Sequence, residues 1–250
     1  MNMALNMKDV KSFDTLNALL AEATGVLVLV LVGAGTIAVS SALGGGALTS
    51  TGLVAVALSL GLTYMAMVAM TSRVSGGHIN PAVTFSAVIT GRMGVAKGVL
   101  YVAFQLAGGI AGALILMAVL TDAAQGTLGA VAVNDATVTN LVSALVIELI
   151  LSFVLVYVMM VFIVGPGESN ASPVAPVIVG LVVVVGTFLG FALTGAGMNP
   201  ARVLGPALAG NVWADHWIYW IGPLAGAVMA AFVYEGFYVG RLRPGRKESE

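Results

Sequence analysis

The sequence predicts an all-α membrane protein, with six transmembrane helices plus two half-helices in an inverted repeat. Three observations carry this. The 250 residues are 59% hydrophobic and only 8% charged, whereas soluble domains carry about 25% charged residues. Charge-free stretches cover 23–72, 98–121, 149–167, 169–201 and 216–234, and each reaches or approaches the roughly 20 apolar residues that cross a hydrocarbon core. The tripeptide Asn-Pro-Ala also occurs twice, as Asn80-Pro81-Ala82 and as Asn199-Pro200-Ala201.

Each tripeptide is a helix-start signal. Asn is a preferred N-cap, and Pro suits the first helical position because its missing N–H would be unpaired there. The helices they open, about 81–90 and 200–209, are too short to cross a bilayer. A membrane tolerates helix ends at depth only where protein covers them or where they line a water-filled cavity. Two such ends imply a pore or a binding site.

The spans fall at 18–41, 50–72, 97–119, 141–163, 174–194 and 216–238. Residues 1–17 form a polar leading segment, and no cleavable signal is evident, because the apolar run from Leu19 continues to spanning length. Gly44-Gly45-Gly46 separates the first two spans, and Gly91-Arg92-Met93-Gly94 precedes the third. A polar loop rich in Ala, Thr and Asn occupies 120–140, and Gly165-Pro166-Gly167-Glu168 turns into the fifth span. The whole of 1–250 reads as one domain: a first repeat at 18–119, the 120–140 loop, a second repeat at 141–238 and a tail at 239–250.

Charge placement orients the chain. Lys8, Lys11, Arg73, Arg92, Lys97, Arg241, Arg243, Arg246 and Lys247 all fall on the side of the chain ends. The positive-inside rule puts that side, and both termini, in the cytoplasm and the 120–140 loop outside. The remaining basic residue, Arg202, directly follows the second tripeptide. An intramembrane charge usually faces a cavity.

The two halves match. Glu22 lies early in span one and Glu148 early in span four; Asn80 follows the first by 58 residues and Asn199 the second by 51. Three spans per half is an odd number, so the halves insert with opposite topology and their functional site lies at the midplane. The two half-helices enter from opposite faces, and their N-termini meet there.

Here the chain resembles the aquaporin, or major intrinsic protein, family. The residues that carry the likeness are Ser75-Gly76-Gly77-His78-Ile79-Asn80-Pro81-Ala82-Val83-Thr84 and Gly195-Ala196-Gly197-Met198-Asn199-Pro200-Ala201-Arg202. Gln105, Glu22, Glu148 and His216-Trp217-Ile218-Tyr219-Trp220-Ile221-Gly222-Pro223 fit as well. The resemblance spans about 18–240 and implies an aquaporin-like right-handed bundle, a homotetramer with one pore per subunit, and a passive water channel in the cell membrane. Physical chemistry supports this: each helix N-terminus carries about half a positive charge, and two aimed at one spot oppose cations, including hydronium. With each Asn oxygen capping its own helix, both NH2 groups are left free to face a passing water.

By the same resemblance, Arg202 sits in an outer selectivity filter. Counting back from Asn80 and Asn199, the family's other filter positions are Leu60, Thr187 and Ala196. Strict water channels of the family carry an aromatic ring and a His there, and this chain carries neither. That departure implies a wider constriction that also passes small neutral solutes such as ammonia, hydrogen peroxide, glycerol or urea. Against a glycerol facilitator, Val203 and Ala207 stand where that branch carries Asp and a basic residue, and the pair Tyr219-Trp220 matches the water-channel branch.

Glu22 and Glu148 are costly in a bilayer unless hydrogen-bonded; the reading here is that each accepts N–H bonds from a motif loop. His78 holds its loop or lines the vestibule. His216, with Trp213, Trp217, Tyr219 and Trp220, reads as an interfacial aromatic belt. Gly108 and Gly112, Gly186 and Gly190, and Gly222 and Gly226 have the spacing of four that brings helices close.

Other chemistry finds little support. There is no cysteine, hence no disulfide or thiolate metal site. Two distant His residues make no metal motif, and the 12 Met residues read as core filler. No nucleophile–base pair, phosphate loop or nucleotide motif stands out, so no enzyme, cofactor or nucleic-acid partner is expected. A secondary transporter also uses inverted repeats and broken helices, but near the motifs only Thr84, Thr187 and Thr194 could serve as extra ion ligands.

Overall fold

The computed structural model describes residues 13–165 and 172–240. Lys8, Lys11, the basic residues after 240, most of the leading segment and Pro166-Gly167-Glu168 lie outside them.

Six helices are long and apolar enough to cross a membrane. They are α1 (Phe13–Leu43), α2 (Ser50–Ser75), α4 (Val95–Val119), α6 (Leu141–Met159), α7 (Ala175–Thr194) and α9 (Ile218–Val233). Two short helices, α3 (Pro81–Ile89) and α8 (Pro200–Ala209), follow the tripeptides, and a four-residue α5 (Asp122–Gln125) lies in the third loop. No strand occurs among the described residues.

The observed helices agree with the spans read from sequence to within a few residues, except at the start of α1. That helix begins at Phe13, five residues before 18. Its first turns gain a packing partner that periodicity does not reveal: Ala18 and Leu19 bury themselves against Tyr101 of α4. At their far ends α6 and α9 widen into π-helical turns, Met160–Val164 and Tyr234–Val239, which pack against each other. Arg92 joins this corner through an ion pair with Glu235 while lying 5.1 Å over the Tyr234 ring.

The pairing repeats across the two halves. In the first, α1 packs on α2 and α4; in the second, α6 packs on α7 and α9. Across the halves α2 packs on α7, α8 on α4, and α3 on α9. Small residues permit the close crossings. A Cβ on Gly205 of α8 would collide with the Gly109 carbonyl of α4, and one on Gly108 with the Ala23 carbonyl of α1. Outward faces stay apolar: Leu62, Val185 and Phe232 are among many exposed large side chains, as lipid-facing helices require.

The 120–140 segment is less open than its polar composition suggests. Leu128, Val131 and Val138 are buried, and Val131 packs with Val203 and Tyr219. Through these residues the loop packs over the second motif, while most of its other residues stay exposed.

Candidate functional site

Two capped helix ends meet at the centre. The Asn80 side-chain oxygen accepts from the Ala82 N–H at 2.9 Å, and that of Asn199 from the Ala201 and Arg202 N–H groups at 3.0 and 3.2 Å. Pro81 and Pro200 occupy the first helical positions, and Ala82 and Ala201 are fully buried behind them.

Here the structure differs from the free-amide reading. The Asn80 amide donates to the Met198 carbonyl at 2.9 Å, and the Asn199 amide donates to the Ile79 carbonyl at 2.7 Å. Each NH2 has two hydrogens, and one of them locks the opposite loop; the Asn80 side chain also pairs with the Tyr64 hydroxyl. The crossed pair clamps the two half-helices to each other.

The loops ahead of the helices are near copies. Gly76, Gly77 and Ile79 all have positive φ, and so do Gly195, Ala196 and Met198 at the matching positions. Non-glycine residues in this region cost about 1–3 kcal/mol each, so the surroundings must hold them. A buried carboxylate braces each loop. Glu22 accepts from the His78 and Ile79 N–H groups at 2.9 and 2.5 Å, from the Ser75 hydroxyl at 2.6 Å and from the Gln105 amide at 2.7 Å. Glu148 accepts from the Gly197 and Met198 N–H groups, both at 2.8 Å, and from the Thr194 hydroxyl at 2.6 Å.

A further layer escaped the sequence reading. Tyr101 donates to the Ser75 carbonyl at 3.0 Å, and Tyr219 to the Thr194 carbonyl at 2.6 Å. Tyr101 lies 21 residues after Asn80 and Tyr219 lies 20 after Asn199, a correspondence that alignment of the two halves could have found. Tyr219 thereby leaves the aromatic belt: it is fully buried, while Trp213 and Trp217 are exposed. His216 stays with Trp213, edge to face at 5.1 Å between ring centroids.

Arg202 is buried in the first turn of α8. Its Nη1 donates to the Ala196 and Gly197 carbonyls at 3.0 and 3.3 Å, while its Nη2 has no protein partner. Leu60, Ala196, Asn199 and Arg202 line one cavity with Tyr64, Val183 and Met198. Thr187 is not on its wall; it is buried one turn from Val183 on α7, and its hydroxyl donates to the Val183 carbonyl at 2.7 Å. His78 is also off the wall, with Nδ1 3.1 Å from the Thr84 hydroxyl and its ring against Tyr101. Among the described residues no cluster of His, Cys, Asp or Glu could hold a metal ion.

Six spanning helices, two half-helices meeting end to end and a buried arginine beside the junction define a polytopic membrane protein of the channel type. The family profile described as Major intrinsic protein matches residues 9–234. The chain belongs to that family. It is 38% identical over 229 residues to Aquaporin TIP1-2 of Zea mays, covering 91% of this chain and 88% of that protein. It is 40% identical over 228 residues to Probable aquaporin TIP3-2 of Arabidopsis thaliana, covering 89% and 84%. Among solved structures, the X-ray structure of the aquaglyceroporin from Plasmodium falciparum superposes with a TM-score of 0.78 at 20% identity, covering 90% of this chain and 98% of that one. At that identity the likeness speaks for the fold.

Proposed function

We propose that this protein is a passive transmembrane channel for water that excludes ions and protons and also passes neutral solutes of about water's size. The observation that carries the reading is the clamped pair of helix N-termini. Asn199 lies on the cavity wall with one amide hydrogen beyond its bond to Ile79, Asn80 stands opposite it, and two positive helix ends converge on that point. A water held there as an acceptor turns its own hydrogens outward, which interrupts proton hopping, and cations meet a barrier. Asn80, Pro81, Ala82, Asn199, Pro200 and Ala201 form the central constriction. Arg202, with a free Nη2, joins Leu60 and Ala196 in the outer filter, and Thr187 packs behind them. Glu22, Glu148 and His78 support the loops.

The relatives named as aquaporins favour the same reading. The protein acts as a channel rather than an enzyme. It assembles as a homotetramer in the cell membrane with both termini cytoplasmic, as the family likeness and the basic residues on the terminal side suggest.

Stopped-flow light scattering on proteoliposomes tests this. Shrinkage in an impermeant osmolyte should run well ahead of empty vesicles, with no proton leak under a potential. Ion-coupled uptake instead would favour a secondary transporter, and rapid glycerol entry a glycerol facilitator.

A further inference from the structure

Leu60 and Ala196 are aliphatic, and Thr187 is off the cavity wall, so the outer positions leave the size limit of the path unassigned. Tyr64 lies one helical turn deeper than Leu60 on α2, about 6 Å further along the axis. It is 2% exposed and lines the same cavity as Leu60, Asn199 and Arg202. Its hydroxyl donates to the His78 carbonyl at 2.9 Å. The ring therefore reaches from α2 to the loop that carries Asn80.

The inverted repeat supplies an internal reference. Tyr64 lies 16 residues before Asn80, and Val183 lies 16 before Asn199. Leu29 and Leu155 each follow their buried Glu by 7 residues. All four line the cavity. Three of these matched wall positions are aliphatic, and only Tyr64 brings a ring. The cavity volume is about 10 Å³, which holds about one water molecule. The bond to His78 ties the Tyr64 hydroxyl to the Asn80 loop, while the ring supplies part of the cavity wall.

We infer that Tyr64 is an inner size filter, one turn below the outer positions, that limits passage to molecules of about water's size. Water, ammonia and hydrogen peroxide pass it; glycerol and urea do not. The inference rests on the water-channel reading above and assigns its specificity to a residue outside the motifs.

Proteoliposomes of wild type, Y64F, Y64L and Y64V, matched for protein and for thermal stability, provide the test. Wild type and Y64F should shrink fast in glycerol and stay shrunken. In Y64V glycerol and urea should enter at least about tenfold faster than in wild type, with water flux retained or raised. Y64L takes the place of Y64V in that comparison if the valine variant does not reconstitute. Glycerol exclusion unchanged in the aliphatic variants, or wild-type glycerol flux that they do not raise, overturns the inner filter alone. Wild-type water flux no faster than empty vesicles overturns the channel reading and the filter with it.

Discussion

At the scale of single residues, the two buried carboxylates show how much one side chain holds. Each satisfies N–H donors of a loop whose backbone is otherwise strained. Glu148→Gln places an NH2 against those donors, and a buried orphaned donor costs about 1–3 kcal/mol. We expect a lower apparent Tm and folded yield, with little change in flux per folded channel; a wild-type melting profile would contradict the brace. The outer positions make a second prediction. Leu60→Phe with Thr187→His should restore bulk and suppress ammonia and peroxide flux while water still passes. Solute flux undiminished in that double variant would count against these filter assignments. Much at this scale was legible in sequence: the caps, Arg202 and both Glu residues stand out as polar groups in an apolar chain. Tyr64, Tyr101 and Tyr219 do not, because a tyrosine in a membrane helix is ordinary until its hydroxyl's partner is known.

At the scale of elements, the half-helices depend on backbone contact with the spans. Gly205 meets Gly109 where no Cβ fits. Gly205→Ala should force α8 away from α4, lowering yield and water flux together. Gly236, where an added Cβ would meet nothing within 4 Å, should accept Ala within about 0.5 kcal/mol of wild type. Size-exclusion thermal scans of both variants read the difference, and equal profiles would sink the packing account. Span lengths were readable because the hydrocarbon thickness dictates them. The early start of α1 and the burial of Leu128, Val131 and Val138 were not, because both come from contacts with distant segments.

At the scale of the whole molecule, the absence of cysteine gives two clean experiments. A mercurial should leave water flux unchanged; inhibition reversed by added thiol would contradict this. Single cysteines then report topology without background. Asp135→Cys should react with an impermeant maleimide on intact cells, and Arg92→Cys only after lysis. The reverse pattern would invert the orientation. By itself the sequence determined the class of fold, the six spans, the paired helix starts and the inverted repeat, since each follows from local composition or from matching one half to the other. Only the tertiary structure decided that each Asn amide bonds to the opposite loop, that Thr187 stands back from the cavity, and that Tyr64 lines it. Those outcomes depend on where side chains more than 100 residues apart in the chain come to lie, and no local pattern encodes that distance.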